Sequence, residues 1–215
     1  MQRLFSYFSE DGDSTVDMLL EDAAVKCLKP GQVVYRIGSV CDSFLMLLAG
    51  AVRVQLSSPR GRQITLCRMS PGDYCGLTTS CLLGRSTFPA DAISESHGEA
   101  VAVSREAFHR TLENSSSFRR YILEGFSMNH ANFIAKIEQL AFVPIDTRLS
   151  NALLDFHKKG EDRVTHQELA VELGTAREVV SRRLKQFESE GWIRLSRGRI
   201  TVSDRNGLQQ LGAIR

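Results

Sequence analysis

A chain of 215 residues, 42% hydrophobic and 24% charged, has the balance of an ordinary globular protein of one large or two smaller domains that can bury a core without staples. Lys and Arg outnumber Asp and Glu by only 27 to 25, which excludes a partner chosen by bulk charge alone. The bias is regional: residues 144–215 carry 13 basic and 10 acidic side chains, against 14 and 15 in residues 1–143.

Taken in chain order, Met1 to Asp11 has no continuous apolar stretch of the signal-peptide kind and turns acidic at Glu10-Asp11. The longest apolar run, Phe44 to Val52, is interrupted by Gly50 and stops at Arg53, short of the roughly 18 to 20 residues that span a bilayer. A cytoplasmic setting without membrane contact is expected. Cys27, Cys41, Cys67, Cys75 and Cys81 would then be reduced thiols, and an odd number suits a disulfide framework poorly.

Residues 25–103 read as short β-type runs between turn signals. The runs are Val33-Val34-Tyr35, Phe44–Leu48, Val52–Leu56, Ile64-Thr65-Leu66 and Ala100–Val103. The punctuation is Lys29-Pro30-Gly31, Ala49-Gly50, Ser57-Ser58-Pro59-Arg60-Gly61 and Ser70-Pro71-Gly72-Asp73, a spacing that suggests an all-β roll or barrel. Ser104, with Glu106 in the following turn, marks a helix start.

From Ser116 to about Phe142 there is no proline, and Leu123, Phe126, His130, Phe133, Ile137 and Leu140 recur at steps of three and four. That is a narrow heptad seam, whose economical partner is the same helix of a second copy; the plainer alternative is a helix packed on its own β domain. His130 on this seam reads as a packed polar residue rather than a metal ligand. Pro144 ends the helix because it has no amide to donate to the preceding turn. These breaks divide the chain into a β-roll at 1–115, a dimerisation helix at 116–143 and a C-terminal domain at 144–215.

In the last domain a helical segment, Thr147 to His157, precedes two further helix starts. Thr165 with Glu168 and Thr175 with Glu178 both have capping-box spacing, and Gly174 between them suits the tight turn of a helix-turn-helix. Leu169 and Leu173 share one face of the first helix, and Val180, Leu184 and Phe187 one face of the second. Arg177, Glu178, Ser181 and Arg182 gather near the N-terminal end of the second helix, the end that a recognition helix presents to base edges. Arginine can pair with guanine O6 and N7, and glutamate can accept from cytosine N4. The competing readings are a Glu178 carboxylate occupied by the cap and arginines on a merely solvated face.

Gly191 to Val202 reads as a hairpin turning at Arg197-Gly198, a wing whose Arg197 and Arg199 would meet phosphates. Thr165, Thr175 and Lys185 complete the set of candidate DNA-backbone contacts.

Over nearly its whole length the chain resembles the Crp/Fnr family of bacterial transcription factors. The resemblance is carried by Thr165-x-x-Glu168-Leu169-Ala170, Gly174 through Arg182, Leu184-Lys185 and Gly191-Trp192-Ile193. Leu28-Lys29-Pro30-Gly31, Leu48 through Val54 and Pro71-Gly72-Asp73 support it. It implies an α+β fold: an N-terminal, jelly-roll-like β-roll sensor, a long dimerisation helix and a C-terminal winged helix-turn-helix. It further implies a homodimer on palindromic duplex DNA that works with RNA polymerase. Glu178 and Arg182 would read bases, and Arg177 or Ser181 would set the subclass.

The departures concern the signal. Cyclic-nucleotide-binding members place a glutamate soon after the Gly-Asp-x-x-Gly turn and an Arg-Ser pair later; here Leu77 or Thr78 and Phe88-Pro89 stand there, with Arg85-Ser86 nearby. A cyclic phosphate would lose its partners, which disfavours cAMP. The compact N-terminal cysteine group of the oxygen-sensing members is absent. Cys75 and Cys81 flank the ligand loop, and Cys41 and Cys67 could approach across the roll as ligands of an iron-sulfur cluster or another thiolate-bound metal, or as an oxidisable pair. The bland alternative treats every cysteine as a small buried hydrophobe. His97 and His109 lack a spacing that supports haem. The expected function is therefore a DNA-binding regulator answering a redox, metal or small-molecule signal. The alternatives are a constitutive regulator with a vestigial sensor and, remotely, a metal-dependent β-roll enzyme.

Overall fold

The computed structural model describes residue 19 and residues 22–59, 62–158, 160 and 163–213; Met1 to Asp11 and Arg60-Gly61, used above, lie outside them. Residues pack into two units, one up to Leu56 together with Leu66–Phe133, the other Ser57–Thr65 with Ile134–Arg215.

The first unit is built on strands β1 (Ala24–Leu28), β2 (Val33–Tyr35), β3 (Ser43–Ala49), β4 (Val52–Ser57), β5 (Gln63–Met69), β6 (Asp91–Ser94) and β7 (Gly98–Ser104). They form a three-stranded sheet ordered β1-β7-β3 and a four-stranded sheet ordered β2-β6-β4-β5. Helix α1 (Gly76–Gly84) follows β5, and α2 (Arg105–Asn114) follows β7. The five expected runs are strands, whereas β1, β6 and α1 were not anticipated.

Strand β3 explains why Phe44–Leu48 reads as unbroken apolar sequence rather than alternation. Phe44 and Met46 enter one core with Val101, Val103, Phe108, Phe118 and Ile122, while Leu45 and Leu47 enter a second with Val52, Val54 and Phe88. A strand covered on both faces has no solvent side to alternate toward. The first core is aromatic, with Phe44 stacked 5.2 Å from Phe108 and edge-on to Phe118. Ser104 caps α2 as expected, its hydroxyl accepting from Ala107 N.

Helix α3 (Ser116–Phe142) buries Ser117, Phe118 and Ile122 and then runs with little cover. Leu123, Phe126 and Ile137 are exposed at 59, 39 and 65%, as is His130, while Phe133 and Leu140 are half-buried. Ile134, off the expected seam, is as open as these at 55%. Leu140 turns toward the second unit's own interior, with its Cδ2 3.1 Å from where a Cβ on Gly174 would lie.

The second unit holds α4 (Ile145–Lys158), α5 (His166–Leu173), α6 (Arg177–Ser189), β8 (Ile193–Ser196), β9 (Arg199–Val202) and α7 (Arg205–Gly212). One core joins them: Leu149 and Leu153 of α4, Leu169 and Leu173 of α5, Val180, Leu184 and Phe187 of α6, Ile193 and Ile200 of the hairpin, and Leu208 of α7. The stripes read from sequence are its walls.

Candidate nucleic-acid interface

The turn between α5 and α6 is fixed at both sides. Thr165 caps α5 with a complete box: its side chain accepts from Glu168 N at 3.1 Å, and Glu168 Oε2 accepts from Thr165 N at 2.6 Å. Gly174 ends that helix in the left-handed region (φ 59°), its amide directed to Ala170 and Val171 carbonyls, a conformation costly for a residue with a Cβ. Arg148 of α4 donates to Leu173 O at 2.7 Å and to Val143 O at 3.1 Å, and burial holds its pKa below the usual arginine value.

The start of α6 corrects the sequence reading. Its N-cap is Ala176, with no side-chain cap, and Thr175 instead belongs to the turn, where its amide donates to Ala170 O at 2.9 Å. Thr175 thus lies one position before the cap of α6, its hydroxyl does not serve as that cap, and Glu178 is not tied down by a box. Glu178 and Arg182 are exposed, and with the described residues neither side chain makes a hydrogen bond or ion pair. Unpaired charge of both signs therefore stands on the N-terminal half of a helix whose other face is buried.

Around this helix the parts are braced. Arg183 Nε lies 3.1 Å from Asp146 Oδ1 of α4, and the Leu195 amide of β8 donates to Glu188 Oε1 at 2.7 Å, joining hairpin to helix. The hairpin turns at Arg197-Gly198, with Gly198 at φ 71°. Thr165, His166, Gln167 and Arg177 line a cleft of about 280 Å³ with Ser196, Gly198 and Arg199 of the wing. Arg197, Arg199 and Lys185 are all exposed, and Ser181 is half-buried with its hydroxyl 2.8 Å from His166 Nδ1. Sequence reasoning passed over His166, Arg148 and Glu188, because each acts through a partner on another element.

In the first unit, a cleft of about 370 Å³ lies between the β5 end, the Gly72–Gly76 turn and α3, lined among others by Cys67, Asp73, Glu124, Asn129 and Asn132. Tyr74 crosses to α3, donating to Ile122 O at 3.0 Å. Close approach requires glycine on the helix, since a Cβ on Gly125 would sit 1.9 Å from the Tyr74 hydroxyl. Phe88 is fully buried, 5.0 Å from the Tyr35 ring, and Arg85 and Ser86 are exposed where α1 ends. Neither position brings a cation into the roll.

The cysteines lie apart in character. Cys27 is exposed, Cys67 half-buried, and Cys41, Cys75 and Cys81 are buried in one apolar core. Burial pushes the Cys41 and Cys67 thiols up to about 12 and raises that of Cys75. Cys41 and Cys81 share that core, and Cys81 Sγ lies 3.3 Å from Thr87 O. Among the described residues no three His, Cys, Asp or Glu side chains are grouped to hold a metal, so the four expected ligands do not converge.

Residues 25–115 match the model of the cyclic nucleotide-binding domain, and residues 147–211 that of the Crp-like helix-turn-helix domain. The chain belongs to the Crp/Fnr family. It is 27% identical to the CRP-like cAMP-activated global transcriptional regulator of Mycobacterium tuberculosis, over 85% of this chain and 87% of that one. A crystal structure of a crp/fnr-family regulator from Eubacterium rectale aligns with a TM-score of 0.86 at 27% identity, covering 96% of this chain and 99% of the other. The c-di-GMP responsive regulator CLP of Xanthomonas campestris shares the fold, with a TM-score of 0.76 at 20% identity over 88% and 98% of the two chains. As a Crp/Fnr protein it is a DNA-binding transcription regulator and not an enzyme, which removes the β-roll enzyme reading. Regulators of this family with the helix-turn-helix bind DNA and act as dimers. Among the described residues no helix is long and apolar enough to cross a membrane.

Proposed function

We propose that this Crp/Fnr protein is a homodimer that reads a palindromic duplex through α6, with Arg177, Glu178, Ser181 and Arg182 addressing bases. Thr165, Thr175, Lys185, Arg197 and Arg199 hold the phosphate backbone. The observation that carries the reading is the pair Glu178 and Arg182, exposed and without a partner among the described residues, on a helix whose preceding turn and inner face are fixed. An unpaired charge keeps its hydrogen-bonding capacity for base edges, and a braced helix delivers it without a large ordering cost. The second copy covers the Leu123, Phe126, His130, Phe133 and Ile137 face of α3, together with Ile134. Work on duplex DNA alongside RNA polymerase places it in the cytoplasm.

For the signal, the observations favour a small polar molecule in the cleft beside Asp73, Glu124 and Asn129 over a metal or a reactive thiolate, because the buried thiols are held protonated. Leu77, Phe88 and the outward Arg85 speak against cAMP. A second reading, oxidation joining Cys41 and Cys81, is favoured only by their burial in the same core.

Selection from random duplexes followed by anisotropy titration tests the DNA reading. Arg182→Ala is expected to lose about 1 to 3 kcal/mol of binding to the selected site and almost none to scrambled DNA. Equal losses on both would remove Arg182 from base readout. Elemental analysis of anaerobically purified protein tests the signal: a stoichiometric transition metal lost on Cys75→Ser would overturn the small-molecule reading.

A further inference from the structure

We propose that His166 is a positioning residue for base readout: its imidazole fixes the direction of the Ser181 hydroxyl and so sets what that hydroxyl can recognise. The inference rests on the assignment of Ser181 to the base-reading set.

The contact joins two elements that are each immobilised. His166 is the first residue of α5, directly behind Thr165, whose side chain and amide are both engaged with Glu168. Ser181 lies on α6 beside Val180, which is fully buried, and one turn before the buried Leu184. The Nδ1 to Oγ distance is 2.8 Å. A serine inside a helix ordinarily returns its hydroxyl to a carbonyl one turn back or leaves it rotating in water. Here its partner comes from the neighbouring helix, 15 residues earlier in the chain.

A hydroxyl offers one donor and two acceptor sites, and a neutral imidazole offers one of each. The ring therefore occupies one hydroxyl site and leaves the rest with a defined direction. Burial, and then the Arg177 charge, push the His166 pKa down, which favours the neutral ring. The charged side chains lining the same cleft are Arg177 of α6 and Arg199 of β9, and the Glu168 carboxylate is already engaged by the Thr165 amide. Among the described residues lining the cleft there is no carboxylate to draw a proton onto the ring. Freed from His166, the hydroxyl would sample its rotamers and serve as donor or acceptor with little preference, and discrimination at one base pair would blur.

The test uses the full-length protein. Sequence preference is measured base by base for wild type, Ser181→Ala, His166→Ala and His166→Gln, with salt-dependent binding to scrambled DNA alongside. Ser181→Ala should relax preference at one position of each half-site. His166→Ala should relax that same position by about 3- to 10-fold, the size of one hydrogen bond, with the other positions and the salt slope unchanged. His166→Gln, which can still hydrogen-bond, should restore it. If Ser181→Ala changes no position, the base-reading role of Ser181 fails and takes the inference with it. If Ser181→Ala relaxes its position and His166→Ala does not, the inference alone is overturned. A His166→Ala loss equal on all sequences, with a shallower salt slope, overturns it in favour of a phosphate contact.

Discussion

Replacing Gly125 with alanine perturbs the first unit at its tightest glycine contact. The added Cβ would stand 1.9 Å from the Tyr74 hydroxyl oxygen, 2.5 Å from Cζ and 2.8 Å from Cε1, so the ring itself must move and not only its tip. That ring is held between Phe44, at 5.3 Å, and Tyr121, at 5.2 Å, and its hydroxyl donates to Ile122 O. Overpacking of this kind costs about 1 to 3 kcal/mol and the strained hydrogen bond about 1 more. Alanine in place of glycine within a helix returns about 1 kcal/mol. The expected net loss is about 1 to 3 kcal/mol, or roughly 2 to 12 °C in the midpoint for a chain of this size. In a Tyr74→Leu background the obstructing ring is gone and the helical gain remains, so Gly125→Ala should there be neutral or stabilising by up to about 1 kcal/mol. Thermal unfolding of all four proteins at one protomer concentration gives the coupling, which should lie near 1 to 4 kcal/mol. An equal shift in both backgrounds would refute a direct clash between Gly125 and Tyr74.

The two threonines before the helices of the turn should behave differently. Thr165→Ala should cost about 0.5 to 2 kcal/mol through the lost cap, whereas Thr175→Ala should cost little, and equal losses in urea titrations would restore a cap to Thr175. The thiols predict a falling alkaline limb. Cys41 and Cys67 ionise near 9.0 when unfolded and near 12 when folded, so their contribution is complete below about pH 9 and is lost as pH rises toward 12. At pH 8 an alkylating reagent followed by mass spectrometry should label Cys27 first, and prompt labelling of Cys41 or Cys75 would contradict their burial. Ile137→Asp should shift the protein from dimer to monomer in sedimentation and weaken binding to a palindrome far more than to a half-site; an intact dimer would move the interface off this face.

Much of this was legible in the sequence because local chemistry agreed with tertiary packing. Thr165, Gly174 and the Leu169, Leu173, Val180 and Leu184 stripes each satisfy a helical rule within a few residues, and the wing turn is declared by Gly198. Elements fixed from elsewhere were not legible. Strand β6 is four residues with no apolar run and exists because it pairs between β2 and β4. Helix α1 has no side-chain cap and buries Thr78 and Thr79, whose hydroxyls return to Cys75 O. Thr175 obeys the capping spacing, but the turn is one residue longer than that spacing assumes and the helix takes Ala176 as its N-cap. The link between His166 and Ser181 depends on the crossing of two helices, and spacing within either one carries no trace of it.

Strand β3 works as a party wall. Because Phe44 and Met46 press into one core and Leu45 and Leu47 into the other, neither can be resized without the neighbouring room feeling it one peptide away. A half-exposed strand could relieve such pressure by leaning toward water; this one has no outdoors. The thiol-lined interior around Cys41 and Cys81 and the aromatic stack that seats the first turns of α3 are therefore tuned jointly, and a substitution accepted on one side narrows what the other will tolerate.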